Sequence, residues 1–240
     1  MRLIAGVLSI AALMWVDVAS AQKTYSVSVS HHRDAPLSEA EVRRILADAS
    51  KMLQKNSRHN GDDDFACNVT LTLKDPVRTF GSPNLPAMVD KDHIDAVHRV
   101  DSDVGDVDFH VKVVKKITNF CRVSSENGFH GCSYPPNFRS MIVEHPTTHT
   151  DPVKPDRDLP EGKLPDHLLW AHEFGHVTGL GHRDKPLALM TPCDLSIQFS
   201  GVSDARVQVT RRECRCMLSG VGACPLPDPL QGRFGCRRPQ

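Results

Sequence analysis

Three histidines with the spacing of metal ligands lie in the stretch HEFGHVTGLGH, which runs from residue 172 to residue 182. In an α-helix, His176 is rotated only ~40° from His172 and lies ~6 Å further along the axis, so one metal ion can bind both side chains. The same helix would carry His182 roughly 120° off that face. Glycine ends helices at little steric cost because it adopts the left-handed conformation easily. We therefore predict that the helix breaks at Gly179 and that His182 turns back to the same ion.

Glu173 indicates what such a metal site would do. Three neutral histidine nitrogens with an open fourth position are typical of catalytic zinc, whereas structural zinc sites are closed by four protein ligands. Because Glu173 directly follows His172, it lies at the edge of the ligand face without ligating the ion itself. Zinc lowers the pKa of bound water to about 7, and a neighbouring carboxylate can accept the proton and later pass it to a leaving amine. The pattern predicts one Zn²⁺ ion and hydrolysis of an amide, with Glu173 as the general base.

These residues resemble the zinc helix of the metzincin metalloproteases, which reads HExxHxxGxxH and is followed by a methionine turn. Here the letters ALM place Met190 eight residues after His182, and Pro192 follows two residues later. This short gap is similar to the matrixin-like branch, whose turn reads ALMxP. The resemblance implies that the three histidines are zinc ligands, that the glutamate is the general base, and that Met190 forms an apolar floor beneath the metal.

Metzincins bind the substrate backbone along an edge strand ahead of the zinc helix, and the stretch GFHGCSYPP at residues 128–136 resembles that edge. The resemblance implies substrate-binding roles for Gly131, Cys132 and Ser133, and for Pro192 after the methionine turn. A peptide laid along such an edge gains main-chain hydrogen bonds whatever its sequence. We find no pro-segment motif with a zinc-capping cysteine of the kind that matrixins carry. We therefore expect a chain that is made active or is held by an inhibitor in trans.

The upstream sequence predicts the elements that must support this site. Alternating polar and apolar residues predict strands at 24–30 and 68–73. Between them, Ser38 and Glu41 form a capping box ahead of apolar residues at helical spacing. Further strands are expected at residues 109–114 and 140–144. This order favours an α/β (α+β) fold, and the resemblance implies a mixed, mostly parallel twisted sheet with packed helices, including the zinc-binding helix.

The two ends of the chain differ from its middle. The first 21 residues are typical of a signal peptide, with Arg2 ahead of an apolar run at 3–16 that is shorter than the ~20 residues of a membrane span. We expect a secreted chain with no membrane partner after cleavage. We predict a catalytic domain over residues 22–200 and a Cys/Arg-rich extension over residues 201–240, forming a small disulfide-tied tail that packs on or beside the domain.

Composition limits the partners and the compartment. All eight cysteines follow the signal segment, and an even number in an exported chain predicts up to four disulfides. Cys121 and Cys132 bracket a turn-rich segment and are the first expected pair, while the pairing of the others stays open. The formal net charge is +0, and we expect no nucleic-acid partner and a monomer. The aspartate-rich residues 90–108 do not fit a calcium-binding loop and are interpreted as a solvated acidic loop.

Together these patterns predict a secreted zinc-dependent endopeptidase that acts on proteins or peptides. Two alternatives stay open at this point. One is a secreted zinc-bearing binding module without protease activity, and the other is a zinc amidase that acts on non-peptide amides. Cleavage of a peptide library, compared with small amides, separates the three.

Overall fold

The computed structural model describes residues 22–55, 65–82, 85–90, 92–102, 105–117, 131–133, 139–146, 166–183, 187–191 and 207–224. The expected signal segment 1–21, Pro192, Cys121, Cys193 and Cys236 lie outside these ranges, and with them the expected Cys121–Cys132 pair. Within these ranges no helix is both long and apolar enough to cross a membrane.

Twelve elements follow one another in the described residues. They are β1 (Lys23–His32), α1 (Glu39–Gln54), β2 (Val69–Leu73), β3 (Arg78–Phe80), β4 (Met88–Val89), α2 (Ile94–Arg99), β5 (Phe109–Val114), β6 (Lys116–Ile117), β7 (Gly131–Ser133), β8 (Ser140–Glu144), α3 (Asp166–Val177) and α4 (Arg211–Ser219). The strands predicted at 24–30, 68–73, 109–114 and 140–144 correspond to β1, β2, β5 and β8.

The main sheet is mostly parallel, which confirms the predicted mixed α/β class. Its strands are ordered β2-β1-β5-β8-β7, and β3 also pairs with β1. Every pair is parallel except β7 with β8, which is antiparallel. A second, two-stranded sheet joins β4 and β6. Strand β7 therefore lies at one end of the main sheet, next to β8 and close to α3.

The pleat of the strands divides the apolar side chains between the two faces of the sheet. Val29 pairs with Val111, and Val111 pairs with Met141, so all three side chains lie on one face. They share an apolar cluster with α1 and with Trp170 of α3. Ile142, one residue along β8, belongs instead to a second cluster that includes side chains of α2. Helix α3 thus packs on the sheet through its apolar side chains, which fixes the position of the histidines that it carries.

Helix α1 begins at the capping box that the sequence predicts. The Ser38 side chain accepts a hydrogen bond from the Glu41 backbone N–H at 3.3 Å, and the Glu41 carboxylate accepts from the Ser38 backbone N–H at 2.9 Å. Val42, Ile45 and Leu46 are buried against the sheet, as their spacing predicts.

The interpretation of residues 90–108 as a solvated loop is wrong in part, because α2 lies within this stretch. Ile94 and Val97 are buried and pack beneath the second face of the sheet. Asp108 is also structural: its carboxylate accepts hydrogen bonds from the backbone N–H of Ser26 at 2.7 Å and from the Ser26 hydroxyl at 2.8 Å. Ile94 and Val97 are three residues apart, so both lie on one face of a helical turn that the surrounding aspartates made difficult to recognise.

Residues 207–224 of the expected tail contribute to the main core. Val207, Val209 and Met217 belong to the same apolar cluster as the sheet. Two disulfides hold the segment, one between Cys67 and Cys214 and one between Cys216 and Cys224. Helix α4 is therefore tied covalently to the chain just before β2. The boundary at residue 200 stays a prediction.

Candidate metal centre

Helix α3 presents two imidazoles on one face. The Nε2 atoms of His172 and His176 are 3.1 Å apart, as expected for side chains one helical turn apart that converge on one point. His172 is buried, and His176 is partly buried. The rings meet edge to face, with centroids 4.7 Å apart.

The chain reverses direction directly after this pair. Helix α3 ends at Val177, and Gly179 has a φ of 98°, in the left-handed region that favours glycine. The Gly179 N–H donates to His176 O at 2.9 Å, and the Leu180 N–H donates to Gly175 O at 3.1 Å. This pair of hydrogen bonds is the Schellman ending of a helix, with glycine at the position that it usually occupies.

The reversal brings His182 to the other two histidines. Its Nε2 atom lies 3.1 Å from that of His176, and one ligand atom from each of the three residues falls within 4.8 Å of the others. Zinc–nitrogen bonds of ~2.0–2.1 Å at tetrahedral angles separate neighbouring nitrogens by about 3.4 Å. The spacing of these nitrogens therefore suits a zinc ion.

Main-chain carbonyls fix the tautomers of the first two histidines. The Nδ1–H of His172 donates to Leu189 O at 2.6 Å, and the Nδ1–H of His176 donates to Leu180 O at 2.8 Å. A neutral imidazole that donates from Nδ1 carries a lone pair at Nε2. Two lone pairs facing each other at 3.1 Å repel unless a cation lies between them. Burial, and then the neighbouring His176 and His182, hold the pKa of His172 well below its ordinary value, so it stays neutral.

Glu173 is buried against the edge strand of the sheet. Its Oε2 atom accepts a hydrogen bond from the Ser133 hydroxyl at 2.8 Å, and its main-chain oxygen lies 3.1 Å from the same hydroxyl. Burial raises the pKa of the Glu173 carboxyl to about 8, and the Ser133 hydrogen bond opposes that rise. A cation at the neighbouring histidines would favour the ionised form as well.

Gly131 leaves the space that the Glu173 side chain occupies. A Cβ atom on Gly131 would lie 2.5 Å from Oε1 and 2.6 Å from Cγ of Glu173. The resemblance implied substrate-binding roles for Gly131 and Ser133. It did not predict that both residues would contact the Glu173 side chain. The alternation of β7 explains it, because Gly131 and Ser133 share the face toward α3 while Cys132 is buried in the second cluster.

The turn that contains Met190 packs against helix α3. Met190 is fully buried, and its Sδ atom occupies the position where a side chain on Gly175 would begin. The Leu189 N–H donates to Gln208 O at 2.9 Å, so the segment before α4 fixes this turn. The role of Gly175 was not predicted from the sequence, although a glycine inside a helix costs about 1 kcal/mol relative to alanine and is itself a signal of close packing.

The chain is similar in structure to known proteins only at low sequence identity among the comparisons made. No model of a known protein family matches the chain, and no curated protein does. The chain is similar to the crystal structure of an archaemetzincin from Methanopyrus kandleri, with a TM-score of 0.46 and 14% identity, covering 85% of this chain and 97% of that chain. It is also similar to a zinc-dependent peptidase from Methanocorpusculum labreanum, with a TM-score of 0.45 and 17% identity, covering 80% and 99%. At this level of similarity, a function for this chain follows only from the geometry of its own site.

Proposed function

We propose that this chain is a zinc-dependent endopeptidase of the metzincin type, closest to the matrixin-like branch. The observation that supports it most is the convergence of the Nε2 atoms of His172 and His176, 3.1 Å apart, while both Nδ1 atoms donate to main-chain oxygens. His182 completes the set as third ligand. Three protein ligands leave a fourth position for a reacting group, as in catalytic zinc sites. The buried Met190 beside Gly175 supports the metzincin type.

Glu173 is the residue that moves the proton in this proposal. Zinc, when bound, acts as a Lewis acid and lowers the pKa of water. The Glu173 carboxylate accepts the proton of the attacking water and then donates it to the leaving amine nitrogen. The Ser133 hydroxyl holds one carboxylate oxygen at 2.8 Å, which leaves the other oxygen to exchange the proton.

The substrate in this proposal is an extended peptide that runs along β7. This strand lies at the end of the sheet order, and its partner β8 pairs with one side of it. A peptide on the other side gains main-chain hydrogen bonds irrespective of its sequence. Gly131, Cys132 and Ser133 are the proposed contacts, and they place the peptide next to Glu173. Pro192, the fourth expected contact, lies outside the described residues.

Export is part of the proposal because of the two disulfides. The Cys67–Cys214 and Cys216–Cys224 bonds suit an oxidising compartment, where disulfides form and persist. The first 21 residues are the proposed signal peptide. Protein collected outside the cell should begin at Gln22, which N-terminal sequencing measures. An N-terminus at Met1 would contradict the proposal.

The test of the catalytic proposal is Glu173→Gln, which keeps the shape of the side chain and removes its basicity. We expect casein hydrolysis to fall by about 10²- to 10⁴-fold while bound zinc stays near one ion per chain. Glu39→Gln is the matched control, because Glu39 is exposed on α1, and it should cleave casein like the parent. Equal rates for Glu173→Gln and the parent would refute the general-base role. A parent that cleaves small amides but no member of a peptide library would refute the endopeptidase.

A further inference from the structure

Arg183, the residue after the third histidine, is held at three points. Its backbone N–H donates to Met190 O at 2.7 Å, and its guanidinium donates to Gln208 O at 3.1 Å. Its Nε atom lies 3.1 Å from Oε1 of Glu213, and the two side chains are only 21% and 8% exposed. A partly buried ion pair with this shielding is screened little by salt. The position next to His182 is therefore fixed through both main chain and side chain.

Glu213 is itself a rigid partner. It is the third residue of α4 and completes a capping box with Thr210. Its Oε2 atom accepts from the Thr210 backbone N–H at 2.6 Å, and its own N–H donates to the Thr210 hydroxyl at 3.1 Å. The two carboxylate oxygens thus serve two different partners. The adjacent Cys214 is bonded to Cys67, which anchors this end of α4 to the chain before β2.

His182 differs from the other two histidines in its backbone. His172 and His176 lie on α3, where helical hydrogen bonds fix the backbone. His182 lies past the end of the helix, in residues 180–183, which have no regular secondary structure. A ligand on such a segment is positioned by whatever holds its neighbours.

We propose that Arg183 and Glu213 are positioning residues. Through their ion pair, Glu213 of helix α4 holds the segment that carries His182 in place at the proposed metal site. This inference rests on the proposed zinc site at His172, His176 and His182. Groups that orient a metal ligand without touching the metal typically contribute 10- to 100-fold to metal affinity. The zinc affinity of the chain therefore depends on an ion pair between two segments that are 30 residues apart in sequence.

Glu213→Gln isolates the ion pair. Glutamine is accepted at the third position of a capping box, so the amide oxygen can still accept from the Thr210 N–H while the charge opposite Arg183 is lost. Thr210→Ala is the matched control, because it removes the hydroxyl of the same capping box and leaves the ion pair in place. Both variants should lower the urea midpoint of the metal-free protein slightly.

The experiment measures the zinc dissociation constant by chelator competition, in the parent and in a His182→Ala background. We expect Glu213→Gln to weaken zinc binding about 10- to 100-fold in the parent. In the His182→Ala background the same change should weaken it less than twofold, because the ligand that the ion pair positions is absent. Thr210→Ala should change affinity less than twofold. Arg183→Gln should repeat the result from the other partner.

Two results would overturn the inference. One is unchanged zinc affinity in Glu213→Gln and Arg183→Gln, and the other is the same loss with and without His182, which indicates a general effect on the fold. A parent that binds no zinc, or whose affinity does not depend on His182, would instead refute the proposed zinc site, and the inference would fall with it.

Discussion

Replacement of Gly179 by alanine tests whether the helix break assembles the metal site. Two costs arise at this position. The φ of 98° lies in the left-handed region, where a residue with a Cβ atom loses roughly 1–2 kcal/mol. The new Cβ atom would also lie 2.6 Å from O and 2.8 Å from C of Cys224. These are main-chain atoms, and the disulfide to Cys216 restrains them, so the neighbour cannot move away freely.

The two costs add to a large effect for one methyl group. Overpacking of this kind costs about 1–3 kcal/mol, so Gly179→Ala should lower the free energy of unfolding by about 2–5 kcal/mol in total. The displaced turn also carries Leu180 O, the acceptor for His176 Nδ1. Zinc affinity should therefore fall by about tenfold or more, although no ligand is removed.

Gly222→Ala is the matched control for this prediction. Gly222 also has a positive φ, of 63°, but a Cβ atom there would meet nothing within 4 Å. It should lose only the backbone cost of roughly 1–2 kcal/mol, without the overpacking cost, and keep the zinc affinity of the parent. Urea unfolding of the metal-free proteins and chelator competition measure the two effects. If Gly179→Ala matches Gly222→Ala in both, the helix break does not position His176 and the reasoning is wrong.

Three further predictions follow from buried contacts. Ser133→Ala should lower kcat on a peptide about tenfold with little change in KM, because a hydrogen bond to a charged group such as Glu173 contributes about 1.5 kcal/mol or more; steady-state kinetics measure the split, and an unchanged kcat would contradict it. Burial lowers the pKa of His98 to about 4, below the ~6.5 of the unfolded chain, so the unfolded state binds the proton first and stability is lost as pH falls from about 6.5 towards 4. The loss should be about 2 kcal/mol at pH 5 relative to pH 8, and urea unfolding of His98→Gln should show a flatter pH profile. Replacing Cys67 and Cys214 together by serine should cost up to about 5 kcal/mol because the bond closes a loop with a sequence separation of 147; calorimetry that finds the parent melting temperature would refute this estimate.

Local signals in the sequence predicted the local parts of this fold. Ser38 and Glu41 are three residues apart, so the start of α1 could be recognised without any knowledge of the sheet. The same holds for the α3 histidines, whose spacing fixes their common face, and for Gly179, whose conformational freedom marks the turn. In each case the residues that determine the geometry lie within about one or two helical turns of one another.

The remaining features depend on contacts between distant segments. Gly131 and Glu173 are far apart in sequence, and only the position of β7 against α3 shows why a side chain at residue 131 would collide with the carboxyl. The Arg183–Glu213 ion pair also depends on the fold, because the sequence does not distinguish two paired side chains from two solvated ones. The core role of Met217 was equally hidden, because an arginine-rich segment with cysteines is read more readily as a surface tail.

Main-chain atoms hold two of the three histidines of the proposed metal site. The acceptors for His172 and His176 are main-chain oxygens of Leu189 and Leu180, which no substitution can delete. With the three histidines present, such a site is weakened when the backbone moves, and the features that fix the backbone here are Gly179, the segment before α4 and the Arg183–Glu213 pair. Gln208 holds the methionine turn through hydrogen bonds to the main chain of Leu187 and Leu189, at 2.7 and 2.9 Å. Because zinc would bind the folded state alone, its binding energy would also stabilise these turns and the disulfide-tied helix that packs on them.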